Sequence, residues 1–369
     1  MENASKAKNA VKKIINMIKR FFSCGKTANN EPLPTLLLEQ PEVEAASEPI
    51  ILEPPKPKRK FILSFDGGGN KTLVEVIVLS RIEKILKEFD PNASLQSTFD
   101  LFAGTSAGGL NAMMLAGVNG CAWTDLKKIS ILKASTIFTP NKKLFYRVMS
   151  SKYANSGITK VLEETFGAMT LDQTAHPFLV MAFDTISLKP VMISNMNDFK
   201  YLSFVQAGLA TTAAPVYFSP QKITHNDTEY NLVDGGIVAN NPSMYAYKLA
   251  RSIFPDADEY HVLSLGSYKN PEHFDNTDGS FSWIDVTKGY GLPIQKVYHV
   301  AGEETASEIM SAIKDVEYLR IENGHGQFKD NFKVDSTSEH DTIRLMEIGE
   351  KIADEYESRI REFLKTRFS

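Results

Sequence analysis

The sequence predicts an α/β fold, a three-layer α/β/α sandwich with a mainly parallel central sheet. Short apolar runs at 61–65, 101–103, 178–183, 230–233 and 260–265 lack the alternation of a half-solvated strand, so they read as strands buried on both faces. Segments with helical spacing of apolar residues separate several of them. Most of the runs break at or near glycine, where open α/β sheets carry their sites.

The chain has 369 residues, 43% hydrophobic and 23% charged, with a formal net charge of -4. That suits one large globular domain or two small ones, and the charge balance leaves no footprint for nucleic acid. Cys24 and Cys121 fall in different kinds of segment, so no disulfide framework is expected and a reducing, cytoplasmic setting follows. No apolar run approaches the roughly eighteen residues of a membrane span.

Two parts are expected, residues 1–58 and a domain over 59–369. In the first, Val11, Ile14, Ile15, Ile18 and Phe22 share one helical face, with Lys12, Lys13, Lys19 and Arg20 around the rest. A basic amphipathic helix over 8–24 suits peripheral binding to an anionic membrane; a solvated tail is the alternative. Cys24 beside it suits a reversible acyl chain. Lysines interrupt the apolar residues, which argues against a secretory signal. Prolines and glutamates over 31–60 make a semi-extended linker.

Asp66-Gly67-Gly68-Gly69 closes the first strand. Consecutive glycines expose N–H groups that bind a phosphate or a developing oxyanion. Residues 73–89 read as a helix, with Val74, Val78, Ile82, Ile85 and Leu86 inward and Arg81, Glu83 and Lys84 outward. A Walker loop is excluded, because Asn70 precedes Lys71 where glycine is required. Two functional readings stay open here. Asp66 to Thr72 resembles the phosphate-gripping loop of actin-like sugar kinases, which needs a second strand over 73–79. Alternatively, the loop serves a nucleophile further along.

Gly104-Thr105-Ser106-Ala107-Gly108 supplies that nucleophile. Gly-x-Ser-x-Gly between a buried strand and a small-residue helix is the corner that lifts a serine hydroxyl above a sheet edge. Gly104 and Gly108 sit where the backbones cross too closely for a Cβ. The later strand at 230–233 ends in Asp234-Gly235-Gly236, an acid at a strand's carboxyl end; an ordinary turn is the alternative. Asn240-Asn241-Pro242 then starts a helix, with asparagine as cap and proline at its first position. His261, His299, His325 and His340 follow in the order of a Ser-Asp-His triad, but none sits in a motif. Residues 129–153 read as a helical insert lining an acyl channel, and 270–296 as a loop. Residues 297–313 and 339–366 read as helices, the second turning Ile343, Leu345, Met346, Ile348, Ile352 and Tyr356 inward. Acids and histidines lack ligand spacing, so no metal and no cofactor is expected.

Taken in order, the glycine loop, the Ser106 corner, Ser151-Lys152-Tyr153, the stretch from Thr211 to Pro215 and the stretch from Asp234 to Pro242 resemble the patatin-like phospholipases. The likeness covers about 60–266, and more weakly continues to about 349. It implies a Ser-Asp dyad, with Ser106 as nucleophile and Asp234 as base. It implies an oxyanion hole from the backbone of Gly67, Gly68, Gly69 and Ala107, with Gly104, Gly108, Gly235 and Gly236 as motif glycines. The implied reaction is hydrolysis of fatty-acid esters of phospholipids or other acyl lipids through an acyl-enzyme. One departure stands out. Lys71 and Thr72 replace the family's Arg and Gly, losing a planar fork and adding a β-branched side chain. Losing one oxyanion donor costs about 10²–10³ in rate, so an inactive lipid-binding module is the reading of a third class.

Overall fold

The runs expected as strands all lie in one mixed sheet. The structure, a computed structural model, describes residues 57–140, 151–174, 176–271 and 293–369. The amphipathic segment at 8–24, Cys24, nearly all of the linker, 141–150 of the insert and most of the expected loop at 270–296 lie outside the described residues. The strands are β1 (Arg59–Phe65), β2 (Leu101–Thr105), β3 (Phe178–Asp184), β4 (Lys189–Ser194), β5 (Gln221–His225), β6 (Thr228–Asp234), β7 (Glu259–Leu265) and β8 (Val316–Ile321). Their order is β5-β6-β3-β2-β1-β7-β8, with β4 also paired to β3. From β3 through β8 the neighbours are parallel. β4, β5 and β6 add antiparallel pairs at one edge.

The helices used below are α1 (Leu73–Phe89), α2 (Ser106–Gly117), α3 (Trp123–Leu132), α4 (Asn155–Phe166), α5 (Phe204–Thr211), α6 (Gly236–Ala239), α7 (Ser243–Ile253), α8 (Pro293–Ala312) and α9 (Glu339–Phe368). Alternate residues of the central strands enter two separate apolar clusters, because successive side chains of a strand point to opposite faces. Leu63, Phe65 and Phe102 pack with α1, α2 and α9. Ile62, Leu101, Ala103 and Val262 pack with α7 and Met310 of α8. The result is the expected three-layer α/β/α arrangement.

Several expectations need correction. Residues 73–89 are helical from end to end, so the second strand of the sugar-kinase reading is missing and that reading falls. Glu83 faces inward, where its carboxylate accepts the Trp123 N–H at 3.3 Å and pairs with Lys87. Ile343 is half exposed, unlike buried Leu345 and Ile348. The short helix α6 precedes the asparagines, and Pro242 is the N-cap of α7 rather than its first residue, with Asn241 Oδ1 accepting the Ser243 N–H at 3.1 Å.

Candidate active site

The site is built where two strands meet head-on. β4 runs beside β3 from Leu179 to Asp184, occupying one of its edges. β2 and β6 must therefore share the other edge. β2 ends with Thr105 opposite Met181, and β6, running the opposite way, ends with Asp234 opposite Ala182. The chain leaves both strands at adjoining places, which brings Ser106 to Asp234. The Ser106 side chain comes close enough to the Asp234 carboxylate to favour its charged form.

Ser106 has a φ of 55°, a left-handed conformation that a serine adopts at a cost of about 1–3 kcal/mol. The corner is held by Thr211 on α5, whose hydroxyl accepts the Ser106 N–H at 3.0 Å and donates to the Met181 carbonyl at 2.7 Å. A Cβ on Gly104 would lie 2.2 Å from the Gly108 carbonyl oxygen, and one on Gly108 the same distance from that of Asp66. Both motif glycines are therefore demanded by close backbone approach. A Cβ on Gly235 would meet the Met181 backbone at 2.5 Å.

Asp234 is buried and accepts the Gly236 N–H at 2.7 Å. Burial pushes its carboxyl up to about 6, against the opposing pull of Ser106 and of the bond from Gly236. The group is thus a stronger base than an exposed aspartate and is still ionised at neutral pH.

The glycine loop lies above this pair. Gly67 is anchored at both ends of its peptide units. Its N–H donates to the Asn240 carbonyl at 3.1 Å, and its carbonyl accepts from Asn240 Nδ2 at 3.1 Å and Ser267 Oγ at 2.9 Å. Of the four expected oxyanion donors, Gly67 is therefore corrected to an anchor, since its N–H is already engaged. The Gly68 N–H has no acceptor among the described residues. Gly69 opens a 3-10 turn and Ala107 lies in the first turn of α2, positions whose N–H groups have no partner within the helix. Thr72 fits without distortion. Its hydroxyl donates to the Gly69 carbonyl at 2.9 Å, and its methyl would stand 3.6 Å from a Cβ on Gly68.

Behind the loop, Asp66 forms a two-pronged ion pair with Arg320 of β8, at 2.8 and 2.5 Å. In front of it is a cavity of about 330 Å³ lined by Ser106, Ala107, Asp234 and the three loop glycines. Its apolar wall includes Leu110, Ile129, Ile137, Phe138, Ile158 and Phe218. The described part of the expected insert thus borders the cavity. Of the four histidines, His261 is buried in β7 and stacked on Phe61, and His340 is exposed. His325 and His299 line the cavity.

A family model for patatin-like phospholipase matches residues 63–247, half of the chain. The chain belongs to the patatin-like phospholipase family. It is thereby placed among lipid acyl hydrolases. Patatin-like protein 2 of Oryza sativa subsp. indica is 28% identical over 356 residues, covering 83% of this chain and 87% of the relative. Patatin-like protein 2 of Arabidopsis thaliana is 28% identical, covering 71% and 75%. Patatin-15 of Solanum tuberosum is 26% identical, covering 82% and 88%. A solved structure, VipD from Legionella pneumophila, is similar with a TM-score of 0.38 at 13% identity, covering 82% of this chain and 67% of that one. In this patatin-like phospholipase, sequence reasoning missed Asn240 and Ser267 as anchors of the glycine loop. Thr211 was noticed only as part of a motif, because a single side-chain bond to backbone leaves no spacing to read.

Proposed function

We propose that this patatin-like phospholipase hydrolyses fatty-acid esters of phospholipids through Ser106, Asp234 and an acyl-enzyme. Ser106 Oγ attacks the ester carbonyl while Asp234 takes its proton. The amides of Gly68, Gly69 and Ala107 stabilise the charge that develops on the carbonyl oxygen. Asp234 returns the proton to the leaving alcohol, and water then releases the fatty acid by the reverse sequence. The observation that carries this reading is the Ser106 side chain beside a buried, ionised Asp234 in the wall of an apolar cavity. Support for the acyl end comes from Leu110, Ile137, Phe138 and Phe218. Residues 8–24 would bring the enzyme to an anionic bilayer as a peripheral protein in the cytoplasm.

A fluorophosphonate probe tests the dyad. It is expected to label the wild type at Ser106 and to leave Ser106→Ala unlabelled. Asp234→Asn is expected to lower fatty-acid release from phosphatidylcholine vesicles by more than about 10³-fold. A folded wild type that takes no label would leave the inactive lipid-binding module as the better reading. Flotation with anionic vesicles, comparing the full chain with one whose Lys12, Lys13, Lys19 and Arg20 are glutamine, tests the membrane segment; equal flotation would sink it.

A further inference from the structure

Asn240 and Ser267 hold the Gly67 end of the glycine loop, and the other end rests on the segment between β8 and α9. There the Val334 carbonyl accepts the Asn70 N–H at 2.8 Å, and the Ser336 carbonyl accepts from Asn70 Nδ2. Gly69 lies so close to this segment that a Cβ on it would stand 2.2 Å from the Val334 carbonyl oxygen. Its φ of 56° is left-handed as well, so glycine is demanded twice over. Val334 therefore sets where the Gly69 end of the loop sits, and with it one of the amides proposed to meet the developing oxyanion.

Between Val334 and Ser336 lies Asp335, whose side chain is 5% exposed. Its carboxylate accepts the Tyr153 hydroxyl at 2.7 Å and pairs with Lys152. Burial pushes the carboxyl up, but the bonds from Lys152 and Tyr153 outweigh it and hold the group below its ordinary value, so it is ionised at neutral pH. Tyr153 belongs to the acyl end of the cavity. Its ring packs on Phe138 and Phe218, with ring centroids 5.2 and 5.8 Å away, and both phenylalanines line the cavity. The Lys152 and Tyr153 N–H groups add ties to the Val216 and Tyr217 carbonyls at 2.8 and 2.9 Å. One carboxylate thus joins the acyl wall to the segment that holds the glycine loop. Hydrogen bonds to an ionised carboxylate are roughly twice as strong as neutral ones, so the joint is stiff.

We infer that Asp335 is a positioning residue that makes the aim of the oxyanion amides depend on the acyl chain in the cavity. The inference rests on the Ser-Asp reading above and adds to it a source of acyl-length selectivity. An acyl chain long enough to pack on Phe138 and Phe218 restrains Tyr153. Through Asp335 and Val334 that restraint reaches Gly69 and Asn70. A short chain leaves the wall loose, and the amides then spend less time on the carbonyl oxygen. Asp335 touches neither the substrate nor the reacting atoms and exchanges no proton. The gain falls in kcat rather than in KM, because the energy of packing the chain is used where the oxyanion forms.

The test compares p-nitrophenyl butyrate with p-nitrophenyl decanoate, below the concentration at which the decanoate forms micelles, in the wild type, Tyr153→Phe, Asp335→Ala and Asp335→Asn. A fluorophosphonate probe first establishes that Ser106 of the wild type reacts. In the wild type, kcat should be about tenfold higher for the decanoate. Tyr153→Phe keeps the ring against Phe138 and Phe218 and removes only the hydroxyl. It should cut kcat for the decanoate by about tenfold, more than for the butyrate, with KM within about twofold of the wild type. Asp335→Ala should lower kcat for both esters, by about 10²-fold for the decanoate. Asp335→Asn keeps an acceptor for the Tyr153 hydroxyl and should recover part of that loss and part of the preference. Should Asp335→Ala fail to fold, Tyr153→Phe decides alone. The inference is overturned if the wild type has equal kcat for the two esters, if folded Tyr153→Phe keeps the wild-type ratio, or if its loss falls in KM alone. A wild type that takes no label removes the Ser-Asp reading instead, and this inference with it.

Discussion

Burying the Asp234 carboxyl raises its basicity and costs stability at the same time. Its folded value of about 6 lies above the ordinary 3.8, so the linkage has a definite sign. The stability it contributes is fully present below pH 3.8 and is lost as pH rises through about 6, a loss of about 3 kcal/mol. Asp234→Asn keeps an acceptor for the Gly236 N–H and removes the titration. At pH 8 the variant should be more stable than the wild type in urea by up to about 3 kcal/mol, and at pH 3.5 the two should converge. A gap that does not grow with pH would contradict the burial argument. The rate should follow the same ionisation. Hydrolysis of a soluble ester should fall about tenfold per pH unit below 6, with no such limb in the Asn variant's residual rate. The residues themselves were easy to read, since Gly-x-Ser-x-Gly and Asp-Gly-Gly advertise close backbone crossings. Gly67 was harder. Its place in the glycine run says nothing of which N–H groups are free, because that depends on Asn240, which lies far along the chain.

At the scale of elements, the site depends on the collision of β2 and β6 along one edge of β3. The sequence reading expects Asp234 at a strand's carboxyl end, which is correct, and a mainly parallel sheet, but assigns that strand no direction. β6 is antiparallel to β3. Its partner β5 (Gln221–His225) is polar and sits at the sheet edge, and β4 begins with exposed Lys189 and Pro190, so neither has the unbroken apolar run of a central strand. β8 was missed likewise, because only part of it is buried. Thr211 joins the elements, linking the Ser106 corner on one side to Met181 of β3 on the other. Thr211→Val keeps the shape and leaves both backbone groups unpaired. Its stability should drop by about 1–3 kcal/mol, and its fluorophosphonate labelling should slow by about tenfold or more. Thr211→Ser should retain both. Equal labelling rates in Val and Ser variants would show that the corner holds without the bridge.

At the scale of the whole molecule, the part of the chain beyond the family match supports the loop from behind. β8 brings Arg320 across the sheet to Asp66, the residue that leads into Gly67. The guanidinium also bonds Ser264 Oγ at 2.9 Å and Glu322 at 2.8 Å, tying β1, β7 and the end of β8 together. α9 covers the other end of that layer and lies so close to α1 that a Cβ on Gly349 would meet Ile77 Cβ at 2.7 Å. Gly349→Val should therefore cost about 1–3 kcal/mol by overpacking, with labelling at Ser106 unchanged below the melting transition. The ion pair makes a sharper case, because removing one partner strands the other. Arg320→Met should lose about 3–5 kcal/mol, whereas the double variant Asp66→Asn, Arg320→Met should recover much of it, since a buried pair can be replaced by neutral groups at little net cost. Urea denaturation of the two singles and the double measures the coupling. Strong coupling together with slower Ser106 labelling in Arg320→Met at low temperature would tie this remote strand to the aim of the loop amides. Additive losses with unchanged labelling would reduce the pair to one more buried contact and leave Gly67 to Asn240 and Ser267 alone.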